Sequence, residues 1–151
     1  MRGLAVVVAG ASAVGVLAAG ALYLGRPALY FLTEYGCGDA EDRLSEALAD
    51  EEILATEPPA GAEREESYRS CDDDDLFVAV GARYETAAAG SGDVVGHYRR
   101  AALTDGWQAA SVAGCLTKRV GRTTAYLELE NPGGGSYHVQ IVADREGSPW
   151  C

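Results

Sequence analysis

The chain has 151 residues and carries 12 Lys and Arg against 23 Asp and Glu, a formal net charge of −11 at pH 7. That length allows one ordinary domain with additions. The acidity excludes a protein that seeks nucleic-acid backbone or an anionic lipid surface through its soluble part, and a hydrophobic content of 48% excludes a wholly disordered chain.

Residues 1–33 carry only Arg2 and Arg26, net +2. Gly3 to Gly25 is uncharged over 23 residues, and a bilayer core needs roughly 20 apolar residues in a helix. The segment reads as a single N-terminal transmembrane helix that binds the membrane through residues 3–25. Arg2 and the terminal amine precede it, and a strongly acidic stretch follows Arg26. The positive-inside bias then puts the amino end in the cytoplasm and the remainder outside. The alternative is a cleaved signal peptide ending at Ala18-Ala19-Gly20-Ala21, which would make the protein secreted. Eleven of the twelve bases are Arg and Asn131 is the only Asn, a bias that fits a GC-rich bacterial genome.

Residues 34–75 hold 16 acids and 3 bases, net −13. Asp39 to Ala49 reads as a helix, with Asp39 as its cap and Ala40, Leu44, Ala47 and Leu48 as its apolar stripe. Ile53 to Thr56 reads as a short strand stopped by Pro58-Pro59-Ala60-Gly61. Residues 57–75 read as a polar loop.

Residues 76–151 carry 7 acids and 7 bases, net 0. Leu76 to Thr86 is the strongest strand, with Leu76, Val78, Val80, Ala82 and Tyr84 alternating onto one face. Asp93 to Asp105 reads as the second helix, with Val95, Tyr98 and Ala102 inward and Gly106 as its stop. Three strands follow, Gln108 to Arg119, Thr123 to Glu130 and Ser136 to Asp144. They are joined by a Gly121-Arg122 turn and an Asn131 to Gly135 hairpin loop. The order is α-β-β-α-β-β-β. This is an α+β domain with two helices on one face of a small antiparallel-rich sheet, and residues 34–151 fold as one extracytoplasmic unit.

The apolar segment, the Cys-Asp-rich loop before a strand, the run Val94-Val95-Gly96-His97-Tyr98-Arg99-Arg100-Ala101-Ala102-Leu103-Thr104-Asp105-Gly106-Trp107, the Cys-containing hairpin and the terminal Cys form a recognisable set. Together they resemble small membrane-anchored or secreted actinobacterial proteins of unknown function. The resemblance implies location and fold and brings no activity with it.

Cys37, Cys71, Cys115 and Cys151 all lie beyond the apolar segment. An even count in a small outward-facing domain favours disulfides. The favoured pairs are Cys37–Cys71, tying the first helix to the acidic loop, and Cys115–Cys151, clamping the tail over the strand from Gln108. In the chain-entropy account, loops of this size stabilise by roughly 3 to 4 kcal/mol each. With no Cys-x-x-Cys, zinc and thiol-redox chemistry are disfavoured.

Asp72, Asp73, Asp74 and Asp75 are the only metal candidates, since concentrated carboxylates suit Ca²⁺. No calcium-loop spacing supports them, and a solvated acidic loop is the plainer reading. His97, Arg100 and Thr104 share the outer stripe of the second helix as a basic surface. His138, Glu128 and Tyr126 are the only catalytic candidates. Closing the hairpin over residues 131–135 sets Glu128 opposite His138 and Tyr126 opposite Gln140 on the wet face, and a His beside a carboxylate can act as a base. No nucleophile motif accompanies them, and Gly133-Gly134-Gly135 lacks the Gly-Lys-Ser/Thr of a phosphate loop. No cofactor is expected and no small-molecule ligand is identifiable. The expected function is a binding or structural module of the cell envelope with a protein partner there. A small enzyme using the sheet face and an acidic cation-binding tether are the alternatives.

Overall fold

The computed structural model describes residues 36–86, 93–111, 114–133 and 135–151. The elements are α1 (Asp39–Ala49), α2 (Glu52–Ala55), β1 (Ala62–Cys71), β2 (Phe77–Thr86), α3 (Val94–Thr104), β3 (Gln108–Ala109), β4 (Leu116–Val120), β5 (Thr123–Gly133) and β6 (Ser136–Asp144). Six strands form one sheet in the order β1-β2-β6-β5-β4-β3, and every neighbouring pair is antiparallel. The described residues are therefore mostly sheet.

This corrects the α+β expectation and its element order. Where a strand is expected over 53–56, Glu52–Ala55 form one helical turn, because so short a run has no readable period. The turn buries Ile53 at 1% exposure. The expected loop 57–75 contains the ten-residue strand β1. Its side chains are polar on both faces, as an edge strand tolerates, so alternation does not reveal it. The expected strand Gln108 to Arg119 is two strands, β3 and β4. Among the described residues no helix is long and apolar enough to cross a membrane. The segment 3–25 lies outside the described residues.

One face of the sheet carries the core. Val78, Val80, Ala82 and Tyr84 of β2 continue into Tyr137, Val139, Ile141 and Ala143 of β6, then Ala125 and Leu127 of β5 and Leu116 of β4. Leu48 of α1, Ile53 of α2, and Val94, Tyr98 and Ala102 of α3 close over them. The α1 cap is Gly38, not Asp39. Its N–H donates to Glu41 Oε2 at 3.1 Å, and Asp39 is the first helical residue. Asp93 caps α3 by accepting from Gly96 N at 2.7 Å. Gly121, at φ +58°, opens the two-residue turn between β4 and β5, a conformation that costs glycine little.

The opposite face is also partly covered. Ala79, Val142 and Tyr126 share one cross-strand row outside the core cluster, yet they are only 7%, 3% and 8% exposed. The tail returns to this face, where Phe77 lies two residues before Ala79. It leaves β6 at Asp144, brings the Trp150 ring to 4.6 Å from Phe77, and ends with Cys151 bonded to Cys115 ahead of β4. Asp144 anchors the turn by accepting from the N–H groups of Gly147 and Ser148. Burial pushes its carboxyl up, but the hydrogen bonds from Ser148 and Gly147 outweigh burial and hold it below its ordinary value of 3.8. The Trp150 indole adds to this while falling short of hydrogen-bond geometry. Ahead of the first helix Cys37 is bonded to Cys71, which pairs with Val78.

Candidate functional site

On the outer face the hairpin register differs from the expected one by two residues. β5 runs to Gly133 with a bulge between Glu130 and Gly133, and Gly133 pairs with Ser136. Residues 131–133 thus continue the strand instead of opening a five-residue loop. Glu130, not Glu128, lies opposite His138; Glu128 lies opposite Gln140, and Tyr126 opposite Val142. The expected His138–Glu128 dyad is therefore not assembled, and Tyr126 is buried in the row it shares with Val142 and Ala79.

Glu128 instead ends a polar row. Gln140 Nε2 donates to Glu128 Oε2, and the Tyr68 hydroxyl donates to Gln140 Oε1 at 2.7 Å. Tyr68 reaches Gln140 across Gly81, which lies between them in the sheet. Burial, Glu130 and Glu128 together raise the Tyr68 hydroxyl above its ordinary value. The adjacent row runs Arg83–His138–Glu130, and Arg83 pairs with Glu65 at 2.6 Å. These rows tie strands together and give the face a mixed charge.

The four aspartates build the β1–β2 turn. Asp72 Oδ1 accepts from the N–H groups of Asp74 and Asp75, each at 2.9 Å, and Asp73 Oδ1 accepts from Cys37 N at 2.9 Å. Leu76 completes the turn at φ +54°, in the left-handed region. Among the described residues no group of three or more His, Cys, Asp or Glu is arranged to hold a metal ion. His97 contacts Glu57 O at 3.0 Å through a ring nitrogen, and Arg100 pairs with Asp93 at 3.5 Å in a solvated position. Both line a groove of about 450 Å³ between α2 and α3.

A cleft of about 310 Å³ lies on the core side, where α1 and α2 meet the β1–β2 hairpin. Its apolar lining is Val80 and Ala82 of β2, with Ala49, Leu54 and Ala55 from the helical segment. Its polar wall is Arg64, Ser67 and Arg69 of β1. The register explains how three polar side chains come to share that wall. Arg69 pairs with Val80 and Ser67 with Ala82, both core-facing positions of β2. Strict alternation would then aim Glu65 inward and Arg64 outward. The bulge between Arg64 and Glu66 shifts the register by one, so that Arg64 meets the core-facing Tyr84. Glu65 instead pairs with Arg83 of the outer face. A bulge re-aims a side chain in this way.

Arg64 is held firmly. It donates to Leu54 O and, at 2.9 Å, to the Tyr84 hydroxyl, and its guanidinium lies 5.4 Å from the centre of the Tyr84 ring. Tyr84 stacks on Tyr137 at 4.8 Å, with Tyr98 5.9 Å from each. Burial pushes the Tyr98 and Tyr137 hydroxyls up, so both stay neutral. Among the described residues Arg64 thus carries a charge met by neutral acceptors alone. Arg69 forms no ion pair among the described residues. The cleft therefore pairs an apolar floor with two cationic forks, an arrangement suited to binding. The sequence conceals it because Arg64, Ser67 and Arg69 fall in the segment that reads as a loop. The one available signal is the inward series Ser67, Arg69, Cys71, which the bulge cuts short.

No family model, no curated protein and no solved structure matches the chain.

Proposed function

We propose that the protein is a binding module of the bacterial cell envelope, anchored through residues 3–25, with residues 34–151 folded outside the cytoplasm. The observation that carries this reading is the pair of disulfides, Cys37–Cys71 and Cys115–Cys151, which fasten the first and last segments of the folded unit. Disulfides persist in oxidising compartments and are rare in the cytosol. The Arg64–Arg69 cleft supports binding as the activity. The two alternatives gain no such support: Glu128 is turned to Gln140 and leaves His138 facing Glu130, and Asp72 and Asp73 are engaged as turn acceptors.

Thiol labelling of intact cells with a membrane-impermeant maleimide tests this. The expected result is no labelling before reduction and labelling of all four cysteines after treatment with an impermeant reductant. Labelling without reductant, or none from outside after reduction, overturns the reading.

A further inference from the structure

We propose that the cleft between the α1–α2 turn and the β1–β2 hairpin binds a small amphipathic monocarboxylate. Its carboxylate is held by Arg69 and Arg64, and its apolar body lies on Val80, Ala82 and Leu54. The proposal deepens the binding-module reading and rests on it.

Three observations converge. First, the size is right: about 310 Å³ lies at the lower end of the roughly 300–1,000 Å³ of small-ligand pockets. Second, the charge is selective. Residues 34–75 hold 16 acids and 3 bases, yet two of those three bases and no acid line the cleft. Random placement in so acidic a segment would line it with carboxylates. Guanidinium forks recognise carboxylates through paired charge-assisted hydrogen bonds. Third, the local backbone is irregular where the site needs it. Regular alternation would point Glu65 at the cleft and Arg64 away, and the β1 bulge reverses this. Bulges recur where a strand must re-aim a functional side chain. Arg64 is already fixed by Leu54 O and the Tyr84 hydroxyl, which pre-organises its fork. Arg69 is exposed and supplies the second, adaptable contact.

The test uses the full-length protein in lipid nanodiscs, with empty nanodiscs subtracted. The probe is 4-phenylbutyrate, read by saturation-transfer NMR, and 4-phenylbutanol is its uncharged control. Saturable binding of the acid is expected, with the alcohol at least about tenfold weaker. Arg69→Gln is expected to weaken the acid by about tenfold or more, as loss of a charged hydrogen bond does, and Arg69→Lys to restore part of it. Ser67→Phe fills the cleft from the exposed edge strand and is expected to abolish binding. Both positions are exposed on the edge strand, and intact disulfides with an unchanged near-ultraviolet spectrum will show that the variants fold. Arg64 is left intact because it also holds Tyr84. Equal binding of acid and alcohol overturns the proposal. So does binding within about twofold of wild type in both Arg69→Gln and Ser67→Phe, or no saturable binding up to about 5 mM. Maleimide labelling is indifferent to the cleft, so failure here and failure of the envelope reading are distinguishable.

Discussion

Gly81 shows how much one missing side chain controls. A Cβ there would stand 2.6 Å from Val139 O and 2.8 Å from the Gln140 Cβ, both on the neighbouring strand. Neither is the end of a flexible side chain, so the strands themselves would have to part. The bare backbone also leaves room for Tyr68 to cross from β1 and reach Gln140, an aromatic ring covering a strand glycine. Gly81→Ala is therefore expected to destabilise by about 2 kcal/mol or more, in the range of overpacked sites. Urea unfolding will check this as a lower midpoint. Tyr68→Phe, which keeps the ring and removes one hydrogen bond, should cost only about 1 kcal/mol. If the alanine variant is no worse than the phenylalanine one, strand separation at Gly81 is not the controlling contact.

Among the elements, Lys118 of β4 is the tie between sheet and helices. Its Nζ meets Glu51 at 2.6 Å, just ahead of α2, and Asp105 at 3.2 Å, just after α3. Burial pulls the ammonium down, but Glu51 and Asp105 together raise it above its ordinary value of 10.5. A raised folded-state value means that this stabilisation is complete below about pH 10.5 and is lost as pH rises further. Lys118→Met leaves two half-buried carboxylates facing each other, at an expected cost of about 2 kcal/mol, below the 3–5 kcal/mol of a fully buried pair. Thermal unfolding at pH 7 will read the loss. The gap to wild type should narrow as pH rises beyond the ordinary lysine value and the wild-type ammonium loses its proton. The same elements show what a sequence makes legible. The bounds of α1 and the centre of β2 follow from apolar periodicity, because both bury one stripe or one face. β1 does not, because an edge strand of Glu, Arg and Ser buries too little to leave a period. The hairpin register also escapes, because glycines permit either a long loop or a bulged strand, and only the ladder decides. That two-residue difference separates Glu128 from His138.

At the scale of the whole molecule, the sheet has two vulnerable places, its β1 edge and its outer face, and it treats them differently. β1 exposes ten residues of edge, but its bulge and its alternating Glu and Arg discourage another strand from pairing with it. On the outer face the tail brings Trp150 to Phe77, and a covalent bond fixes its end to Cys115. The Cys115–Cys151 and Cys37–Cys71 bonds span 36 and 34 residues. Chain entropy alone would then make each worth about 4 kcal/mol, nearly the same. Their local consequences should differ. With Cys115 and Cys151 both replaced by Ser, the tail is released, and the buried row Ala79, Val142 and Tyr126 is expected to become exposed. With Cys37 and Cys71 replaced, the chain ahead of α1 is freed and that apolar row stays covered. Both double variants are expected to unfold at similarly lower urea concentration. Only the Cys115/Cys151 variant should bind 1-anilinonaphthalene-8-sulfonate in the folded state and show faster amide exchange along β6 near Val142. Equal dye binding by the two would mean that the tail is not what shields the outer face, and that Trp150 meets Phe77 without depending on its disulfide.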